Sequence, residues 1–368
     1  MSVSRQFYDF AIVGAGMAGA SIAARLAPHA SVLLLEAEDQ PGYHATGRSA
    51  AFWEECYGGP DIVPLTLASG SFLRDNGFLK QRGALYIGRE QDSADIDAFM
   101  DRFADTGANV QRIDSDVLNK KLPGLLENWC EAIWQPNCAD IDVAGLHRHY
   151  LAEARRSGAD LATHARIVSA RKDARNWVLT DFDDREFAAR IVVNAAGAWA
   201  DELAVLANIR PVGIAPLRRT VVQLKVDPAP APDLPLVLDI SGKFYFKPEN
   251  GRLWLSPHDE EASPPCDAAP EELAIAKAID RLEHVVDWEV AGVETKWAGL
   301  RSFAPDRLPV YGFDPRCADF YWFAGQGGFG IQTAPAAADI AAAQLLGTDM
   351  PAHMTDINVT NYAPARFG

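Results

Sequence analysis

Cysteine is scarce and unpatterned in this chain. Five of its 368 residues are cysteines (Cys56, Cys130, Cys138, Cys266 and Cys317), and none are spaced C-x-x-C. That usage excludes a disulfide framework and a cysteine-rich metal site, and fits a reducing compartment. Long apolar runs are missing too: none approaches the ~20 residues of a membrane span. The expectation is a cytoplasmic protein, with peripheral attachment to a membrane left open. Basic residues number 34 against 50 acidic ones, for a net charge of −16 and a pI near 4.9. Such a balance repels phosphate backbones and anionic lipid, so nucleic-acid partners are not expected, and an anionic substrate needs a local cluster of arginines. The eight histidines include no H-E-x-x-H, with only His147 and His149 two apart, so no metal is expected.

Apolar residues make up 48% and charged residues 23%, ample for a core; the length suits two domains or one α/β unit with an insertion. The apolar stretch from Phe10 to Ala20 follows Arg5, but Asp9 enters the would-be core of a signal peptide and its glycines have another explanation. A β-rich run, Tyr8 to Val13, leads into Gly14-Ala-Gly16-Met-Ala-Gly19. An alanine-rich helical pattern follows until Pro28, then a second β-rich run, Ser31 to Leu35, that ends at Glu36. This is the order of a dinucleotide-binding βαβ unit. Gly14 suits the tight turn, Gly16 lets backbone approach a pyrophosphate, and Gly19 lets the helix pack closely. The helix N-terminus offers N–H groups to phosphates. Glu36, 22 residues after Gly14, is placed for ribose hydroxyls and repels a 2′-phosphate, which disfavours NADP but leaves NAD and FAD both open.

Further segments narrow the choice. Small and hydroxyl residues fill the loop Gln40 to Ala51, suited to close approach of a flat ring. Ile191 to Trp199 reads as a buried strand with a small-residue turn, then a helix from about Ala200. Phe320 to Gly330 reads as a strand and glycine loop before a helix from Thr333 to Leu346, whose dipole suits negative charge on a reduced ring. Strand-like runs Arg219 to Val226 and Lys243 to Lys247, the hairpin turn Glu249-Asn-Gly-Arg252 and an acidic helix Pro270 to Val285 make up a second region.

With Gly42-Tyr-His-Ala-Thr-Gly-Arg-Ser-Ala50, Asn194-Ala-Ala-Gly-Ala-Trp199, Arg218-Arg219, Phe244-Tyr245, Trp297 to Phe303 and Gly325 to Gln332, the order of these segments resembles the D-amino acid oxidase family of FAD-dependent oxidoreductases, and within it the bacterial D-arginine dehydrogenase type. The resemblance implies an α/β fold: a discontinuous Rossmann-type FAD domain (1–81, 139–210 and 301–368) and an α+β substrate domain with a mainly antiparallel sheet (82–138 and 211–300). It implies non-covalent FAD held by Gly14, Gly16, Met17, Ala18, Gly19, Glu36, Ala37, His44, Thr46, Gly47, Arg48, Ser49, Ala50, Val168, Ala196, Gly197, Trp199, Arg301, Gly327, Gly328, Phe329, Gly330, Ile331 and Gln332.

The implied chemistry is hydride transfer from a substrate Cα to flavin, giving an imino acid. The substrate is a small amine bearing a carboxylate, and the flavin's oxidant is a quinone or O2. Arg219 and Arg301 suit the carboxylate because guanidinium forks bind it bidentately, with Tyr245 adding a hydroxyl and Gly328 a carbonyl for the amine. Arg218 is the alternative to Arg219, since neighbours on a strand face opposite ways. Arg48 reads as a loop-structuring residue, and Tyr57 matches a lid tyrosine on the segment Ser49 to Tyr57. Two positions depart from the arginine dehydrogenase type: Ala84 stands where a glutamate binds the guanidinium, and Phe52 replaces a histidine. A side-chain pocket of Phe52, Trp53 and Ala84 favours a neutral D-amino acid, while Glu54 or Glu55 keeps a basic substrate open. A secondary amine or a 2-hydroxy acid is the alternative on the same scaffold.

Overall fold

Both faces of Phe7–Val13 (β1) are apolar, and Phe10, Ala11 and Ile12 are all buried, as a strand covered by helices on two sides requires. The computed structural model describes residues 6–368, so the first five residues of the expected 1–81 stretch lie outside the described residues. β1 pairs in parallel with Val32–Leu35 (β2) and with Glu186–Asn194, and Met17–Leu26 (α1) crosses over between β1 and β2. The strand Glu186–Asn194 divides its partners: its first half pairs antiparallel with Asn176–Asp181, its end in parallel with Cys317–Ala324. Val13 lies opposite both Leu35 and Asn194, and Asn194 opposite Trp322. Four strands therefore end nearly level, and Gly14, Glu36, Ala195 and Gly325 leave from one edge, where α/β sheets bind ligands.

On one face of this sheet Phe10, Ile12 and Leu34 pack against α1, Val143–Arg156 and the alanine-rich helix Gly330–Leu346; on the other, Ala11 and Leu33 share a cluster with Ala200, Leu203 and Ala204. The last helix begins three residues before the expected Thr333, and the acidic helix runs over Glu272–Glu283.

A ten-stranded sheet forms the second layer. Its spine is Ala215–Asp227, antiparallel to Glu289–Phe303 from Ala215 opposite Phe303 to Asp227 opposite Glu289. One pair is parallel, Leu236–Asp239 beside Ala84–Arg89. Asn250 and Gly251 turn the expected hairpin with φ of 51° and 75°, the twist that two-residue hairpins favour. The expected boundary at 301 falls inside the strand Glu289–Phe303, whose end also pairs with Gln326–Gly327. Phe52–Trp53, Leu79–Gln81 and Ala139–Ile141 form a small sheet at the junction. Among the described residues no helix is long and apolar enough to cross a membrane.

Candidate active site

The level strand ends open into a cavity of about 890 Å³ that runs from Glu36 and Val168 past the glycine turn to Arg219, Tyr245 and Arg301. At its first end, Gly14 holds φ +101°, and a Cβ there would fall 2.4 Å from the Ala195 carbonyl oxygen. Gly19 does not face the cavity; a Cβ on it would sit 1.8 Å from the Gly14 oxygen, so its hydrogen is what seats α1 on the turn. Thr46 Oγ1 accepts from Met17 N (2.9 Å), and no acidic residue occupies the first turn of α1, which leaves its positive end available to an anion. Glu36 accepts from Ala15 N (3.0 Å) and Glu38 N (3.1 Å), one oxygen each, with lone pairs to spare.

His147 stands outside the expected site residues, yet its Nε2 lies 2.8 Å from the Ala15 carbonyl. Burial pushes its pKa down, so the neutral ring donates to that carbonyl and braces the glycine turn. Its only sequence signal is a histidine on an otherwise amphipathic helix.

The other end is a cationic clamp. Arg219 lies opposite Gly299 and Leu217 opposite Arg301, so the two arginines share a face on neighbouring strands as diagonal neighbours. Arg218 points the other way, pairing with Glu271 (2.9 Å) and Glu261. Arg219 is 4% exposed; its Nε donates to the Asp259 carbonyl (2.7 Å) and Nη2 to Glu260 (3.1 Å), while Nη1 is buried with no partner. Burial, then the nearby Arg301 charge, pull its pKa down to about 10. Burial opposes the charge of Arg301 as well, but Tyr57, Tyr245, Glu260 and Asp259 outweigh it and hold the guanidinium above its usual range. Arg301 Nη1 donates to Tyr57 Oη. Gly328 makes this possible, because a Cβ there would lie 2.0 Å from Tyr57 Oη and 2.9 Å from the Arg301 guanidinium carbon.

Phe52 lies beside the clamp, its ring 5.8 Å from both Tyr57 and Tyr245, and packs in one apolar cluster with Ala84, Val221 and Leu238, but none of Phe52, Ala84 and Tyr57 lines the cavity itself. Trp53 does not belong to this cluster. As its strand neighbour it faces the opposite way, donating Nε1 to the Thr66 carbonyl (3.0 Å) and stacking on Gly70 of the helix Val63–Asp75. Glu54 and Glu55 also point away from the cavity: Glu54 accepts from Cys56 N and Tyr86 Oη (2.9 Å each), Glu55 from Asn109 N (2.6 Å) and Asn137 Nδ2 (3.0 Å).

Of the residues expected to hold the cofactor, Gly14, Gly16, Met17, Ala18, Glu36, Ala37, His44, Thr46, Arg48, Ser49, Ala50, Val168, Ala196, Gly197, Trp199, Arg301, Gly327, Gly328, Gly330 and Ile331 line the cavity. Gly19, Gly47, Phe329 and Gln332 do not. Gly47 closes a turn on the Gly42 carbonyl (2.8 Å), and Phe329 is buried against Tyr57 and Phe303. Gln332 spends its amide on Glu54 N and O, Tyr57 O and Thr66 Oγ1. Arg48 donates to the Ala268 and Ala298 carbonyls and pairs with Asp267, and His44 meets Glu38 at 2.8 Å. Arg166, Cys266, Ala268 and Ser302 also line the cavity; they come from separate loops and strands, and no local pattern marks them.

A family model for FAD dependent oxidoreductases (DAO) matches residues 9–344. The chain belongs to this DAO family of FAD-dependent oxidoreductases. Glycine oxidase of Geobacillus kaustophilus (strain HTA426) is 25% identical over 346 residues, covering 89% of this chain and 90% of its own. YurR, an uncharacterized oxidoreductase of Bacillus subtilis, is 25% identical over 386 residues, covering 97% and 98%. The crystal structure of glycine oxidase from Geobacillus kaustophilus shares the fold, with a TM-score of 0.84 at 23% identity over 98% of this chain and 99% of that one.

The residues present fit the DAO cofactor. Gly16 and Gly197 line the cavity, and a Cβ on Gly197 would meet no protein atom within 4 Å, so it would project into open space. The open end of α1 would suit a diphosphate and the free lone pairs of Glu36 a ribose, and the glycine loop Gly327–Gly328 lines the cavity beside the clamp.

Proposed function

We propose that this enzyme oxidises a small neutral α-amino acid, of D configuration where the α-carbon is chiral, to the imino acid, with FAD bound non-covalently. The observation that carries the reading is Arg219 Nη1, buried without a partner in a wall that also holds Arg301 and Tyr245. An unpaired buried donor costs about 1–3 kcal/mol, which a carboxylate oxygen in the cavity would relieve. Two guanidinium groups and a phenol at one spot match a carboxylate geometrically as well as in charge.

When bound, FAD supplies the two-electron acceptor for the hydride leaving Cα. The chain's own part is positioning. Arg219 and Arg301 fix the carboxylate with Tyr57 and Tyr245 beside them, and the Gly328 carbonyl, by the resemblance to the family, accepts from the amine. The neutral amine then forms the iminium as its Cα–H bond breaks, and water hydrolyses the product to a 2-oxo acid and ammonium. His258, which packs on Tyr245 at 5.7 Å, is committed through Nδ1–H to the Gly242 carbonyl; burial and the Arg219 charge pull its pKa down to about 3. It stays uncharged and leaves the proton of an ammonium substrate to solvent.

The apolar cluster of Phe52, Ala84 and Tyr245 beside the clamp supports a neutral side chain, and the outward Glu54 and Glu55 argue against a basic one. The D configuration rests on the resemblance to the D-amino acid oxidase family. Anaerobic mixing of the FAD-loaded enzyme with glycine, D-alanine, D-valine, D-arginine, N-methylglycine and lactate tests the reading by loss of flavin absorbance. Bleaching by the small neutral D-amino acids is expected. Bleaching by lactate or N-methylglycine alone, or by none, would overturn it.

A further inference from the structure

Tyr57 reaches Arg301 from a turn whose polar groups are tied down on every side. Tyr57 N donates to the Glu54 carbonyl (3.2 Å), and the Glu54 carboxylate takes one hydrogen bond from Cys56 N and another from Tyr86 Oη (2.9 Å each). Gln332, in the first turn of the helix that follows the Gly327–Gly328 loop, accepts from Glu54 N (3.2 Å) and donates to Glu54 O (3.1 Å) and Thr66 Oγ1 (2.8 Å).

Glu54 is fully buried, lies outside the cavity wall, and has no cation among its hydrogen-bond partners. Burial pushes its pKa up to about 7, a cost that a space-filling leucine would not carry. What the carboxylate does that leucine does not is hold the backbone of the turn at Cys56 and fasten it to the Tyr86 strand.

We infer that Glu54, braced by Gln332, is a positioning residue that sets Tyr57 Oη against Arg301 and thereby the grip on the substrate carboxylate. The inference rests on the clamp reading given above. It makes Glu54 act through Tyr57 and not through charge at the substrate.

The test is a double-mutant cycle on the FAD-loaded enzyme. Propionate, a carboxylate without an amine, is titrated by flavin difference absorbance and by calorimetry. Glu54→Ala and Tyr57→Phe are each expected to weaken propionate about 10-fold. The double variant should be no weaker than Tyr57→Phe alone, and Glu54→Gln should recover most of the loss at unchanged flavin content. Additive losses, or wild-type affinity in Glu54→Ala, would overturn the inference. Should Glu54→Ala fail to retain flavin, Gln332→Met is put through the same cycle with the same two outcomes. Arg301→Met separates the two readings. Propionate binding lost there but intact in Glu54→Ala removes the Glu54 inference alone, whereas wild-type affinity in Arg301→Met removes the clamp and this inference with it.

Discussion

Arg219 spends two of its nitrogens on Asp259 and Glu260 and keeps the third dry and unpaired, while Arg301 leans on Tyr57. On the proposed reading, removing a guanidinium from such a site would take away a charge-assisted contact to the substrate carboxylate while leaving the glycine-turn end of the cavity intact. Arg301→Met is expected to raise KM for the substrate by roughly 100-fold or more, with flavin content unchanged; an unchanged KM would take Arg301 out of the site. Gly328→Ala acts on the same contact from the other side. Its new Cβ would occupy the place of Tyr57 Oη, 2.0 Å away, so KM should rise at least about 10-fold in a variant that still binds FAD.

Glu54 ties a residue to a pH dependence. In the unfolded chain it ionises near its ordinary value of 4.5, but in the folded protein only near 7. Folding is therefore favoured by the neutral form below 4.5, loses that advantage as pH climbs to about 7, and is flat above. The full swing is roughly 3 kcal/mol. Glu54→Gln should melt higher than wild type at pH 8 and lose less stability between pH 5 and 8. Parallel melting curves across that range would refute the assignment.

At the scale of elements, α1 sits on β1 through hydrogens and methyl groups. Gly19 touches the Gly14 oxygen, and Ala20, Ala23 and Ala24 are buried beside it. Gly19→Ala must push the helix outward, which moves its N-terminal N–H groups from where a diphosphate would lie. Reduced flavin-to-protein ratio after purification and a lower thermal midpoint are the expected results; full flavin occupancy would show that the helix can slide at no cost.

The βαβ unit was legible from the chain because its pattern is local: strand, glycine turn, helix, strand and acid follow within about thirty residues. The hairpin at Asn250-Gly251 was legible for the same reason. The parallel pairing of Leu236–Asp239 with Ala84–Arg89, the outward turn of Trp53 and the task of Gln332 were not, since each depends on partners far along the chain. Gln332 shows this most clearly. It stands in a glycine-rich segment, yet its amide faces the Glu54–Tyr57 turn because the helix begins at Gly330 and carries the side chain behind the loop.

For the whole molecule, a chain with net charge −16 keeps Arg219 and Arg301 inside, in a cavity whose walls come from both sheets: Gly14 and Ala196 from one, Arg219, Val221 and Tyr245 from the other. The site exists only while the sheets hold their relative placement. Asp140, in the small junction sheet, ties that sheet to the ten-stranded one. It accepts from Arg82 Nε (2.6 Å) and from Lys247 Nζ (2.8 Å), two side chains 6% and 4% exposed, and Lys247 is two residues from Tyr245 on the same strand. Burial opposes the charge of Asp140, but Arg82 and Lys247 outweigh it and hold its carboxyl below the usual range. Asp140→Asn leaves both cations less than fully paired. Arg82 keeps the Leu234 carbonyl (2.7 Å) and Lys247 keeps Glu249 (3.1 Å), so the cost should fall near the low end for a broken buried pair, roughly 3 kcal/mol. Thermal melts followed by flavin release and by tryptophan emission should coincide in the wild type. In Asp140→Asn both should fall by several degrees, and tryptophan emission should change first, because Trp254 lies 5.2 Å from Lys247 Nζ. Midpoints unchanged from wild type would mean that the sheets are held together by their apolar contacts without this ion network.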